Sequence, residues 1–161
     1  MRKHLITAGL LLAGFSLSAP LLANTDQAEK HFSRCVACHL ADGQGIPGAF
    51  PPLKNRLAKL SNSELGRQYV VQVVYGGLMG LISVGGQNYS GVMPAQAGDL
   101  TAKDVSDLLN YAVDTVDKEG KPEGWVPFSE KEVADLSKHK GNPMSNGSLR
   151  KRLLEKQPEL K

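Results

Sequence analysis

The chain has 161 residues, of which 41% are hydrophobic and 22% charged, a length that suits one ordinary domain. Its charge is uneven: residues 24–128 carry 9 Lys+Arg against 11 Asp+Glu, a net of −2, while residues 129–161 carry 8 against 5, a net of +3. A mildly acidic body with a basic tail is weak evidence for nucleic-acid binding and fits docking on a charged protein partner better, and no Ser/His/Asp triad, phosphate loop or paired carboxylates point to catalysis.

The chain opens MRKHLITAGLLLAGFSLSAPLLANTDQ. Arg2, Lys3 and His4 form a basic start, Leu5 to Leu17 an apolar stretch, and a small-residue exit near Ala23 completes the pattern of a secretory signal over residues 1–23. The apolar stretch is shorter than the roughly 20 residues of a spanning helix. Leu21 stands where a small residue is preferred, so the segment is either cleaved after Ala23 or retained as an anchor. No cysteine follows it to take a lipid, and no second stretch reaches membrane-spanning length. The expected location is the periplasm, reached by export across the inner membrane.

The first helix is predicted from about Asp26 to Cys38. Asp26 with Glu29 resembles a capping box, and Ala28, Phe32, Cys35 and Val36 share a face. This helix carries CVACH, which holds the only two cysteines, Cys35 and Cys38, followed at once by His39. Three readings are open. The thiols could form a disulfide, as exported proteins allow, although no thioredoxin-like strand precedes the pair. They could bind zinc, but that needs four ligands, and His31 and His139 offer no second pair at metal-site spacing. They could hold a haem: both sulfurs project from one helical turn and can add to two vinyl groups, with His39 beneath the iron. The third reading suits an exported chain with no spare cysteines.

LADGQGIPGAFPPLKN is too rich in Gly and Pro for regular structure. Ser61 with Glu64 makes a second capping box, opening a helix on which Leu65, Tyr69 and Val73 repeat beside Val70 and Val74, ended by Gly76-Gly77. LISVGGQNYS reads as a hairpin with Gly85-Gly86 in its turn. Thr101 and Asp104 open the last strong helix, whose apolar set is Val105, Leu108, Leu109, Ala112, Val113 and Val116.

A haem on His39 leaves one iron position to fill. Methionine or histidine there makes an electron carrier, whereas an empty position permits gas binding or catalysis. His31 lies one turn ahead of Cys35 and cannot reach the opposite haem face. Met144 and His139 sit in the tail. Met79, in the glycine-rich YGGLMGLISVGG, reads as core filler. Met93 precedes Pro94 in a loop that the proline stiffens.

Past Val116 the chain is broken by Pro122, Pro127, Pro143 and Pro158. Ser129 with Glu132 caps a short helix carrying Val133 and Leu136, and Leu149, Leu153 and Leu154 mark another. Trp125 to Leu136 is expected to pack on the domain, because Trp and Phe are costly to leave in water. The last fifteen residues are expected to be loosely ordered, the alternative being a docking arm for a specific oxidoreductase or membrane complex.

Taken in order over residues 26 to 116, CVACH, DGQGIPGAFPPL, the hairpin leading to YSGVMPA, and LTAKDVSDLLNYAV resemble a class I c-type cytochrome of the bacterial, single-haem kind. The resemblance implies an all-α fold of three main helices around one covalently bound haem c. A short β-hairpin would precede the distal methionine loop, with a haem domain over 24–118 and an extension over 119–161. It implies that Cys35 and Cys38 hold the haem by thioethers, that His39 is the proximal ligand and that Met93 is the distal one. Pro51, twelve residues after His39, would accept the ligand's Nδ1 proton and fix its tautomer. Phe32 and Tyr111 would be the aromatic pair where the first and last helices cross. Ile46, Leu53, Tyr69, Val73 and Val92 are expected to exclude water near the iron.

The implied function is one-electron transfer between redox enzymes of a respiratory chain. Such a protein is not an enzyme. Its partners are a protein donor and acceptor, with no nucleic acid, no small-molecule substrate, and at most transient contact with a membrane complex. An alternative is a dedicated haem subunit of a periplasmic dehydrogenase or reductase. A sensor or peroxidase-like protein needs an open sixth position, against which Met93-Pro94 speaks.

Overall fold

The computed structural model describes residues 22–139 and 141–161. All but the last two positions of the expected export segment lie outside the described residues. Among those described, no helix is long and apolar enough to cross a membrane.

The architecture is mostly helical, as expected. Helix α1 spans Leu22–His39 and buries Ala28 and Phe32, with Cys35 and Val36 half-buried behind them. It begins before Asp26, so the expected capping box falls inside the helix. It stops after His39 because Leu40 turns left-handed (φ 65°), a conformation a branched side chain adopts only when its surroundings enforce it. A long loop leads to the short α2, Leu57–Leu60, and then to α3, Glu64–Gly76.

The cap of α3 differs from the expected one. The Ser63 hydroxyl accepts from the Gly66 amide, whereas Ser61 is fully buried and bonds back to Leu57 O at 2.8 Å. Tyr69, Val70, Val73 and Val74 all turn inward, and Val71 does so as well, so the helix is buried on most sides.

Strands β1 (Leu78–Val84) and β2 (Gln87–Met93) form an antiparallel hairpin, paired from Leu78↔Met93 to Val84↔Gln87. Gly85 and Gly86 turn it with φ of 57° and 80°, the two positive values of a type I′ turn. The pleat sends Met79 and Leu81 to the outer face, so Met79 is 48% exposed and fills no core.

Helix α4, Ala102–Thr115, opens on the expected Thr101–Asp104 capping box. It crosses α1 with the Phe32 and Tyr111 rings 5.7 Å apart at 52°. Its buried face joins that of α3 in one core containing Val71, Val105 and Val113, each fully buried.

The tail adds α5, Glu130–Ser137, capped by Ser129, and α6, Pro143–Lys156, capped by Asn142. Trp125 and Phe128 are buried edge to face, and the Trp125 indole donates to Ser61 Oγ at 3.0 Å. The expected looseness of the last fifteen residues is overturned: Leu149, Leu153 and Leu160 are all buried, and α6 packs on α3 and β1. Fifteen charge-rich residues hold together because Leu149 and Leu153 lie one turn apart on the buried face of α6, and Leu160 is buried in the short turn that follows it.

Candidate haem site

The site begins at the end of α1, where the helical repeat puts the half-buried Cys35 and Cys38 on one turn. Both are free thiols. Burial pushes the Cys35 thiol up to about 11, against the smaller opposing pull of Arg34. It therefore stays protonated near neutral pH, unlike the thiolate of a redox-exchange or zinc site. Among the described residues no group of three or more His, Cys, Asp or Glu is placed to hold a metal ion.

His39 is buried, and its Nδ1 lies 2.8 Å from Pro51 O. Burial lowers its pKa, and the Pro51 carbonyl works the other way with less effect. The ring is thus neutral, donates Nδ1–H to Pro51, and keeps the Nε2 lone pair for a metal. Gly45 makes this contact possible. Its φ is +66°, its amide donates to His39 O at 2.9 Å, and a Cβ there would stand 2.7 Å from Pro51 O and 2.3 Å from Phe50 O.

The hairpin supplies the facing wall. With a period of two, Leu78, Gly80 and Ile82 of β1 and Tyr89, Gly91 and Met93 of β2 line the same cavity as His39. Met93 ends β2 and is half-buried. The chain beyond it is tied down on two sides. The Gln96 amide donates to Val74 O at 2.8 Å, and Arg34 Nη1 donates to Gln96 O at 2.6 Å and to Asp99 at 2.8 Å. At the base of the hairpin Gly77 has φ 75°, and a Cβ there would meet Met93 O at 2.5 Å.

The enclosed space is about 430 Å³, in the range of cofactor sites, and Cys35, Cys38, His39, Pro51 and Met93 all line it. Two thiols on one turn, a neutral imidazole with a free nitrogen, a thioether and mainly apolar walls are the donor set and surroundings that a haem c requires. The residues present fit that group.

Of the five residues expected to exclude water, only Val92 borders this cavity, and its side chain stands on the outer face of the hairpin, 65% exposed. Tyr69 and Val73 belong to the core cluster, Leu53 packs against it, and Ile46 is 41% exposed. Leu78, Ile82, Tyr89 and Phe50 take their place. Sequence reasoning missed these and Arg34. The alternation along 78–93 held a signal for the hairpin residues, while the long-range partners of Arg34 left none.

The family model described as Cytochrome c matches residues 26–117. A protein named cytochrome c-552 from Thermus thermophilus is 38% identical over 151 residues, covering 94% of this chain and 97% of that protein. A second cytochrome c-552 from the same species is 38% identical over 124 residues, 77% of this chain and 94% of its own length. Both alignments are longer than the matched segment 26–117. It follows that this chain is a class I member of the cytochrome c family, an electron-transfer protein built around a covalently attached haem c.

Proposed function

We propose that this chain is an exported, periplasmic one-electron carrier serving redox enzymes of a respiratory chain, and not an enzyme. In this reading residues 1–23 are the signal, 24–118 the haem domain and 119–161 an extension packed on it. Cys35 and Cys38 hold the haem, and His39 Nε2 and the Met93 sulfur ligand its iron. The observation that carries it is that His39 and Met93 line one cavity with both free thiols, each on a separately braced segment.

When bound, the haem supplies an iron that changes by one charge; the chain's work is to keep everything around it still. The Pro51 carbonyl holds the proton on Nδ1 and so fixes the plane and basicity of the His39 ring. Arg34 and the Val74 carbonyl hold the loop that follows Met93, which keeps its thioether in place. Leu78, Ile82 and Tyr89 exclude water from that side. Thioether ligation in a dry pocket favours the ferrous state, so the reduction potential is expected above that of a bis-histidine haem.

The test is an absorption spectrum in both redox states, with carbon monoxide added to the reduced protein. A weak far-red ferric band from sulfur on iron, its loss in Met93→Ala, and no carbon monoxide binding by the wild type are expected. Ready carbon monoxide binding by the wild type defeats the carrier reading.

One observation favours the second reading, a haem subunit held by a permanent partner. The outer face of the hairpin exposes Leu81 at 69% and Val92 at 65%, beside Met79. Purification from the native membrane and soluble fractions decides: a carrier elutes alone, a subunit with its dehydrogenase or reductase.

A further inference from the structure

Asparagine holds a helix interior less well than Ala, Leu or Lys, because its amide competes for the backbone. Asn146 is nevertheless the fourth residue of α6, and it is fully buried. Its side chain serves another element. Nδ2 donates to Gln72 O, inside α3, at 2.9 Å, and to Gly77 O, just past the end of α3, at 2.8 Å. Turning the amide over would set its oxygen against both carbonyls, so the donor has one orientation. Oδ1 is buried and accepts from none of the described residues. A small aliphatic side chain would avoid that unmet acceptor and suit the helix better, so the two donated bonds are the reason for an asparagine here.

The space around the amide is cut to fit it. A Cβ on Gly141 would overlap Asn146 Oδ1, and one on Gly76 would overlap Gly141 O and crowd Nδ2 at 3.1 Å. What the amide fastens is the support of Met93. Leu78, next to Gly77, pairs with Met93 across the hairpin. Gly77 itself abuts the chain after Met93: a Cβ there would meet Met93 O at 2.5 Å, Ala95 N at 3.2 Å and Pro94 C at 3.3 Å. The Gln96 amide then donates to Val74 O at 2.8 Å. Residues 93–96 therefore rest on the end of α3 twice, against Gly77 and on Val74. Asn146 bonds both sides of the point where the chain leaves α3, and so fixes how that end is shaped.

We infer that Asn146 is a positioning residue for the distal iron ligand: its amide locks the exit of α3, on which the Met93 segment rests, and so holds the thioether in place. Helix α6, outside the matched segment 26–117, thereby takes a part in electron transfer besides packing. A carrier works with little rearrangement only if the same sixth ligand stays on in both redox states, so a brace against loss of Met93 bears directly on function. The inference rests on the reading of Met93 as that ligand.

The experiment titrates imidazole into the full, haem-loaded ferric chain, following loss of the far-red band of sulfur on iron. It compares the wild type with Asn146→Ala, Asn146→Asp and Asn142→Ala. Asn146→Ala favours the helix while removing both bonds to α3. Asn146→Asp keeps the shape of the side chain and, when ionised, has no donor. Asn142→Ala does the opposite: it removes the cap of α6, whose Oδ1 accepts from the Met144 and Ser145 amides, and leaves both bonds to α3 in place. Imidazole should bind about tenfold more tightly to both Asn146 variants, and Asn142→Ala should differ from the wild type by less than about twofold. A change in Asn142→Ala as large as that in Asn146→Ala, or no change in the Asn146 variants, overturns the inference. If neither Asn146 variant folds, Gly141→Ala displaces the same amide through its clash with Oδ1. It should show the same tightening, and wild-type affinity there overturns the inference. Met93→Ala separates the two failures. If it takes imidazole no more tightly than the wild type, Met93 is not the ligand and the inference falls with that reading. If it binds more tightly while Asn146→Ala matches the wild type, only the role of Asn146 is wrong.

Discussion

Arg34 reaches from the cysteine-bearing helix to the carbonyl of Gln96, 2.6 Å away and three residues past Met93. Its second contact, the pair with Asp99, is exposed on the Asp99 side and contributes little by itself. Bridging α1 and the loop, the arginine acts as a strap across the cavity. Arg34→Ala removes the charged hydrogen bond to Gln96, worth about 1 kcal/mol, along with the exposed pair. If Met93 is the ligand, the loosened loop yields its iron position more readily. Imidazole should bind the ferric variant about fivefold more tightly than the wild type, by spectral titration. Unchanged affinity would mean that the Val74 contact holds the loop alone.

The other axial side depends on a glycine. In Gly45→Ala the new Cβ meets the carbonyls of both Phe50 and Pro51 at under 3 Å, in a left-handed backbone that by itself costs about 1–2 kcal/mol. Relief comes only by moving Pro51 O away from His39. A loss of about 2 kcal/mol or more in urea unfolding is expected, with faster exchange of the His39 Nδ1 proton by NMR. Destabilisation with that proton still protected would show that the loop gives elsewhere.

Asp117 places a pH dependence in the fold. It is 1% exposed, and burial raises its pKa, while the Ala58 amide, 2.6 Å from Oδ2, pulls the other way with less effect. A carboxyl whose pKa is raised on folding contributes stability that is full below the ordinary aspartate value and lost as pH rises through the folded one. Asp117→Asn cannot titrate. The wild type should therefore lose ground to the variant as pH rises from about 4 towards 7, read as the difference in Tm. A difference moving the other way would mean that the hydrogen bonds to the ionised form outweigh its burial.

What could be read from the sequence was whatever depends on local repetition. The inward faces of α3 and α4 follow from the 3.6-residue period, and CVACH places two thiols and an imidazole by helix geometry alone. What could not be read depends on partners far along the chain. Ser61 with Glu64 has the pattern of a capping box, yet Ser63 caps the helix while Ser61 is buried and accepts from the Trp125 indole. Tyr69 and Val73 were expected to face the iron, yet periodicity tells only that a side chain is covered, not by what. The hairpin, its rows interrupted by Gly80 and Gly91, lines the cavity in their place. In the last fifteen residues the charges hid three leucines whose wall, α3 and β1, lies some seventy residues earlier.

The segment from Val126 to Glu132 is fastened to α3 by Arg67. Its Nη2 donates to Glu132 Oε2 at 2.7 Å, and its Nη1 to Val126 O at 2.8 Å and Ser61 O at 3.2 Å. Its guanidinium carbon lies 3.9 Å from the centre of the Phe128 ring. One planar group thus joins α3 to both the segment after α4 and to α5. The Arg67 side chain is 14% exposed, so solvent screens the pair with Glu132 only in part. Arg67→Ala leaves Glu132 and the carbonyls of Ser61, Val126 and Pro127 short of a donor and should cost about 3 kcal/mol in urea unfolding. Arg67→Lys should recover less than half of that, because an ammonium can neither fork to the carboxylate nor stack on the ring. Limited proteolysis localises the effect: cleavage should appear first between residues 119 and 129 in Arg67→Ala, before the core opens. Full recovery by lysine would mean that charge alone, and not the shape of the guanidinium, holds the tail in place.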